Sequence, residues 1–178
     1  MRSDRGGEYE GVFDDFLKNC GIEHQRTVAY SSQQNGIAER WNRTAMDRLR
    51  AILADTKLPR RLWPALLDAV EYLYDITPNS NVETTPWEIL YGRRPNVAHL
   101  RRLGCLAYYT IPSANRDKMG NRARKSYLVG YAHNSGTKAY MLWDPTQDAI
   151  VVSRDVRFDE NALVEAKFQE DPDTLDLL

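Results

Sequence analysis

The sequence is poor in the residues that staple small secreted or metal-bound modules. Its 178 residues include two cysteines, Cys20 and Cys105, and neither lies in a Cys-x-x-Cys pattern. This excludes a disulfide framework and the common four-ligand zinc sites, and it is typical of a protein from a reducing compartment. The three histidines are scattered along the chain, so we assign them no metal role.

Long apolar runs are absent as well. The most apolar window, 66–74, is interrupted by Asp68 and Glu71. It falls well short of the roughly 20 residues needed to cross a bilayer. Residues 1–5 lead into no apolar segment, so we expect no secretory signal peptide and no membrane partner. With 42% hydrophobic and 28% charged residues, the chain has the composition of a globular protein with room for one domain plus a small module.

The net charge of −1 conceals two blocks of opposite sign. Residues 93–125 contain nine basic residues and one acid, whereas residues 155–178 contain eight acids and two basic residues. A basic block suggests a polyanionic partner, although a solvated surface explains the charge alone at least as well. The acidic end, 161–178, is predicted to be a disordered tail because it has few apolar residues.

Hydrophobic periodicity divides the chain into two halves. Helical spacing predicts helices over 12–20, 37–53 and 63–76, and Thr85 and Gly92 are placed to cap a short fourth helix. Alternation over 22–30 predicts a strand, which a polar loop follows. After residue 103 the pattern changes to closely spaced short strands, which indicate a small antiparallel barrel. These strands are predicted over 105–111, 126–131, 139–143, 149–153 and 156–158.

Two acids stand out by their surroundings. Asp4 precedes a Gly6-Gly7 turn, and Glu39 lies in the first turn of the long helix, where the helix dipole favours a carboxylate. Carboxylates from separate elements suit Mg²⁺, which takes a few hard oxygen ligands from protein and completes its shell with water and phosphate. On spacing alone, a solvated acid and an ordinary helix-start glutamate remain the better interpretation.

Residues 2–160 resemble the C-terminal part of the integrase of Copia-type long-terminal-repeat retrotransposons. The likeness lies in RSDRGGEYEGVFDDFLKNCGIEHQRTVAYSSQQNGIAERWNRT, LPRRLWPALLDAVEYLYDITPNS, TTPWEILYGRRPNVAHLRRLGCLAYYTIP and ARKSYLVGYAHNSGTKAYMLWDPTQDAIVVSRDVRFDE. The resemblance implies an α/β, ribonuclease-H-like integrase core, truncated and mostly helical, over 1–95. A small all-β SH3-like barrel over 96–160 would follow, and then the tail over 161–178.

The resemblance also implies a catalytic site. Asp4 matches the second aspartate and Glu39 the glutamate of an Asp-Asp-Glu site that holds two Mg²⁺ or Mn²⁺ ions for polynucleotidyl transfer in DNA integration. The first aspartate matches no residue of this sequence. We therefore expect weak metal binding and no integrase activity from this chain alone, with nucleic-acid binding retained.

Candidate nucleic-acid-binding residues fall in three places. Polar side chains precede the long helix, arginines follow Glu39 within it, and a basic run lies in the barrel region. Pairing of Arg43 with Glu39 and Asp47 explains Arg43 equally well, and alternating barrel packing is the stronger interpretation of Tyr108 and Tyr109. The candidates are Gln33, Gln34, Asn35, Arg40, Arg43, Arg122, Arg124 and Lys125.

The expected partner is DNA, both retrotransposon ends and target, and a homo-oligomer is compatible with the sequence. Family analogy places the protein in the nucleus, and the cysteine content allows the cytoplasm equally. Two alternatives stay open: a protein–protein interaction module, and an inactive remnant of a transposable-element polyprotein. DNA binding that weakens as salt rises would favour the first hypothesis over both.

Overall fold

The structure is a computed structural model that describes residues 1–3, 7, 11–26, 36–78, 84–113, 116, 119–132, 138–165 and 168. The chain forms two compact units, Met1–Met46 and Asp47–Leu178. Among the described residues, no helix is long and apolar enough to cross a membrane.

The first unit contains a β–α–β arrangement. Strand β1 (Arg2–Ser3) pairs in parallel with β2 (Gln25–Arg26), and helix α1 (Val12–Asn19) connects them in the chain. Gly21 follows α1 with φ +67°, a left-handed conformation that glycine adopts without strain, and the helix ends close to the predicted end at residue 20. Parallel strands joined by a helix define an α/β arrangement. Of the predicted strand 22–30, residues 27–30 lie outside the described part.

The predicted long helix is confirmed as α2 (Gly36–Thr56), whose last residues belong to the second unit. A 3₁₀ turn (Arg60–Leu62) leads into α3 (Trp63–Asp75), and α4 (Pro86–Tyr91) follows. Both predicted caps of α4 are confirmed. Thr85 Oγ1 accepts a hydrogen bond from the Glu88 N–H at 3.0 Å, and Gly92 ends the helix at φ +66°.

The second unit also contains a five-stranded antiparallel sheet, as the short alternating runs predict. Its strands lie in the order β6–β5–β4–β3–β7. The long strand β4 carries a register shift between Leu128 and Gly130 where it pairs with β5. The strands are β3 (Leu106–Thr110), β4 (Ala123–Ala132), β5 (Ala139–Asp144), β6 (Ala149–Ser153) and β7 (Val156–Asp159).

Helix α3 packs on β4, and the core lies between them. Small residues make this close approach possible. A side chain at Gly130 would meet the Ala65 carbonyl oxygen at 3.4 Å. Cys105 is fully buried, and burial raises the pKa of its thiol to about 11, so it packs as an apolar core residue. The core comprises Ala69, Tyr72, Ile76, Leu103, Cys105, Ala107, Tyr109, Leu128, Tyr131 and Leu142.

The apolar stripe of α2 predicts burial for Ile37, and the apolar character of tryptophan and cysteine predicts it for Trp63 and Cys20, but all three are exposed. Ile37 in α2 is 80% exposed, Trp63 is half exposed, and Cys20 lies on the surface at the end of α1. Helical spacing identifies side chains that share a face, but it does not reveal whether another element covers that face. The prediction was therefore wrong for these residues, whereas Ala45 and Leu49 of the same α2 stripe are buried.

The first residues of the predicted acidic tail pack against the sheet. The Ala162 carbonyl accepts a hydrogen bond from the Leu106 N–H at 2.8 Å, and Val164 is buried. The ring of Phe168 lies edge-on to those of Tyr127 and Trp143. The chain therefore continues to stabilise the sheet beyond residue 160.

Candidate nucleic-acid interface

Helix α2 presents one carboxylate and two arginines near its start. Glu39, Arg40 and Arg43 are all exposed, and none forms an ion pair with another described residue. The Arg40 guanidinium folds back over the first turn, where Nη1 lies 3.2 Å from the position that a Cβ on Gly36 would take. Asp47 pairs with Arg50 at 3.1 Å and leaves Arg43 to solvent. The structure therefore favours a free Arg43 over the alternative in which it pairs with Glu39 and Asp47.

A buried hydrogen-bond chain fixes the carboxyl end of β1. His24 Nε2 lies 2.7 Å from Ser3 Oγ, and His24 Nδ1 lies 2.8 Å from Asp14 Oδ1. These residue types would suit nucleophilic catalysis, but Ser3 is only 4% exposed and offers a substrate no access. The hydrogen bonds of Ser3, His24 and Asp14 instead tie β1 to α1 and to the residue before β2. Asp4 follows Ser3 directly in the sequence.

The metal prediction rests on residues that the structure describes only in part. Asp4, Gln33, Gln34 and Asn35 lie outside the described residues. Within the described part, no group of three His, Cys, Asp or Glu side chains could hold a metal ion. Glu39 alone provides too few protein ligands for Mg²⁺, so the described residues do not by themselves form a magnesium site.

The three basic candidates near the start of β4 have different environments. Arg122 precedes the strand, whereas Arg124 and Lys125 are neighbours within it and point to opposite faces. Arg124 lies 3.8 Å from the carboxylate of Asp144, whose side chain is 1% exposed. Lys125 forms an ion pair with Glu165. Arg122 is exposed and has no ion pair among the described residues. Only Arg122 of the three is thus available to an external anion.

The buried carboxylate of Asp144 explains the position of Arg124. Tyr109 donates its hydroxyl hydrogen to Asp144 Oδ2 at 2.8 Å, and the Thr146 N–H donates to Oδ1 at 2.8 Å. Burial, followed by the hydrogen bond with Asp144, raises the pKa of Tyr109. Arg124 supplies the positive charge that this buried anion needs, so its role is structural.

Arg122 borders an open basic groove on the barrel. The groove has a volume of about 660 Å³ and lies against β3, the start of β4 and the start of β7. Tyr108 stands on this face with 42% of its surface exposed. The one acid of the groove, Asp155, lies 3.8 Å from Arg154. The basic groove is lined by Tyr108, Thr110, Arg116, Arg122, Ala123, Asp155, Val156 and Arg157.

Strand register places cations on both sides of Tyr108. Lys125 of β4 and Arg157 of β7 are its direct cross-strand partners, so the three side chains form one row. Sequence reasoning missed Arg157 because it lies in the acidic block. The predicted alternating packing of the two tyrosines is confirmed, since Tyr109 is buried and Tyr108 is exposed.

Comparison with known proteins assigns a family to the five-stranded sheet. Residues 105–172 match the family model of the retroviral polymerase SH3-like domain. The sheet therefore lies within a domain of this SH3-like family.

Relatives extend the match to most of the chain. A retrovirus-related Pol polyprotein from transposon TNT 1-94 of Nicotiana tabacum is 32% identical over 163 residues, which is 90% of this chain and 12% of the relative. The corresponding polyproteins from transposons RE1 and RE2 of Arabidopsis thaliana are 29% and 28% identical, over 89% and 90% of this chain and 11% of each relative. The chain belongs to the Pol polyproteins of Copia-type retrotransposons, and it spans about a ninth of the length of these relatives.

Proposed function

We propose that the chain is the integrase part of a retrotransposon Pol polyprotein and that its barrel holds nucleic acid by the phosphate backbone. The observation that carries this proposal is the basic groove. Arg116, Arg122 and Arg157 line it, and no acid among the described residues pairs with any of them. Three cations without a paired acid along one surface raise the local concentration of anions and favour a polyanionic partner.

The groove suits a polymer better than a small anion. Its arginines come from different parts of the domain, namely the segment before β4 and strand β7. Arginine binds phosphate through paired N–H donors, so a row of arginines can follow successive phosphates. Such contacts give affinity without reading base sequence.

Tyr108 adds a second type of contact. Its exposed ring lies between Arg157 and Lys125 in the cross-strand row. Because Lys125 is paired with Glu165, Arg157 is the cation beside the ring that can meet a phosphate, and unpaired bases stack on exposed rings of this kind. We therefore expect the basic groove to bind single strands as well as duplex.

The catalytic part of the proposal concerns the first unit. We propose that this unit belongs to a ribonuclease-H-like core in which Asp4 and Glu39 are two of three metal-binding carboxylates of the complete polyprotein. The parallel β1–β2 pair supports it, because Asp4 follows one strand in the sequence and Glu39 opens the helix after the other. Since no residue of the chain matches the third carboxylate, we expect no strand joining by this chain with Mg²⁺ or Mn²⁺. Joining by the purified chain would contradict this expectation.

Matched charge changes test the binding proposal. Binding of a fluorescein-labelled 20-base-pair duplex is measured by anisotropy for the wild type, for Arg122→Gln with Arg157→Gln, and for Arg93→Gln with Arg94→Gln. The two double variants lose equal charge, but only the first changes the basic groove. We expect the groove variant to weaken binding about tenfold or more for unrelated duplex sequences alike, and the control about twofold. Equal losses would refute a defined groove.

A further inference from the structure

A second groove lies between α3 and α4 of the same unit and shares no residue with the basic groove. Its volume is about 320 Å³. Its lining has the opposite charge to the lining of the basic groove. It combines carboxylates with apolar and aromatic side chains and includes no basic residue. This acidic groove is lined by Glu71, Tyr72, Asp75, Pro86, Trp87, Leu90 and Tyr91.

The apolar wall comes from the short helix α4. Leu90 is 74% exposed and Tyr91 is 55% exposed. The centroid of the Tyr91 ring lies 4.3 Å from that of Trp87, which is partly buried against the core. The exposed Tyr91 ring therefore packs on a side chain that is itself held against the core. Adjacent exposed apolar side chains of this kind mark interaction surfaces more often than single exposed residues do.

The opposite wall is acidic because of the composition of α3. This helix carries three carboxylates and no basic residue. Glu71 and Asp75 lie one turn apart, both are exposed, and neither has an ion-pair partner among the described residues. Glu88 of α4, by contrast, lies 3.7 Å from Arg94. The acidic groove thus keeps two carboxylates beside its apolar wall without compensation.

We propose that the acidic groove binds a short peptide segment that carries an apolar or aromatic anchor beside Lys or Arg residues. The anchor would cover Leu90 and Tyr91, and the cations would meet Glu71 and Asp75. A volume of about 320 Å³ accepts one or two large side chains, and the carboxylates repel a nucleic-acid strand. This inference is independent of nucleic-acid binding at the barrel.

A labelled peptide tests the proposal. The probe is a fluorescein-labelled decapeptide with one tryptophan and one leucine among three arginines, and its partner has both apolar residues replaced by serine. Anisotropy titrations use the whole chain. We expect Leu90→Ser, and Glu71→Gln with Asp75→Asn, each to weaken binding about tenfold, or about 1.4 kcal/mol. Ile89→Ser and Asp68→Asn are controls on the same two helices outside the groove lining, and we expect changes within about twofold. Asp68→Asn removes one carboxylate, so its effect is compared with half the free-energy change of the double variant.

Each contrary outcome overturns the proposal. Equal affinity for the serine peptide would show that charge alone drives association, and this comparison needs no variant to fold. Equal weakening by Ile89→Ser and Leu90→Ser would show that the groove has no defined part in binding. Absence of binding at high micromolar peptide would refute the site. Self-association in sedimentation velocity that Leu90→Ser abolishes would show that a second copy, and not a peptide, covers the acidic groove.

Discussion

Gly104 is the position where the second unit depends most clearly on the absence of a side chain. Its φ is +74°, and its N–H donates a hydrogen bond to the Leu128 carbonyl at 2.7 Å. A Cβ at this position would lie 2.5 Å from both Cβ and Cγ2 of Thr56, a buried residue at the end of α2. Gly104→Ala therefore meets two obstacles, an unfavourable backbone conformation and a steric clash.

The two costs can be separated with another glycine. A left-handed backbone costs a non-glycine residue about 1–2 kcal/mol. Overpacking a filled site costs about 1–3 kcal/mol more. Gly92, at φ +66°, has open space where its Cβ would go, so Gly92→Ala bears only the first cost. We expect Gly104→Ala to lower the free energy of unfolding by about 2–5 kcal/mol, and Gly92→Ala by about 1–2 kcal/mol.

Urea unfolding followed by tryptophan fluorescence measures the difference, because Trp143 is buried in the same unit. With a slope of about 2 kcal/mol per molar urea, the midpoint should fall by about 1–2.5 M for Gly104→Ala and by about 0.5–1 M for Gly92→Ala. Equal shifts for the two variants would refute the close contact between Gly104 and Thr56.

Three further predictions concern buried polar groups. Burial and the nearby Lys138 lower the pKa of His99, whose Nε2 lies 2.8 Å from the Tyr72 hydroxyl. The stability that the neutral His99 ring contributes should therefore fall as the pH drops below about 6.5. The urea concentration at the unfolding midpoint should decrease less between pH 7 and pH 5 for His99→Gln than for the wild type. Arg124→Gln should lower the free energy of unfolding by about 1 kcal/mol by removing the cation beside Asp144, while DNA affinity changes by less than it does for Arg122→Gln. His24→Phe should speed amide exchange in 1–3 and 12–26, because it removes both hydrogen bonds of the buried chain; unchanged exchange would contradict a tethering role.

The local pattern of apolar and polar residues was sufficient to predict the helices and strands of the second unit and the helices of the first. Helical spacing and the Thr85 and Gly92 caps identified α1 to α4, and alternation identified the sheet strands, because these signals act within a few residues of the chain. The limits of β4 were less accurate: the strand begins at Ala123, three residues before the predicted start. Strand ends depend on cross-strand partners such as Thr110, which local pattern does not contain.

The sequence alone predicted the candidate site only as a block of basic residues, without showing which of them are free to bind an anion. Arg122, Arg124 and Lys125 lie within four residues of the sequence, but the fold gives them three different roles. Arg124 neutralises a buried acid and Lys125 pairs with Glu165, and both partners are distant in the sequence. Arg157 joins the basic groove from an acidic stretch because β7 pairs with β3. Long-range pairing, which one sequence does not display, therefore decides which cations are free.

The salt dependence of DNA binding tests the central claim most directly. The logarithm of the association constant for a 20-base-pair duplex is measured against the logarithm of salt concentration for the wild type and for the triple variant Arg116→Gln, Arg122→Gln and Arg157→Gln. Each phosphate contact contributes a slope of about 0.9, so the account predicts that the triple variant lowers the slope by about 2–3. A slope that is the same in both proteins would contradict phosphate binding in the basic groove.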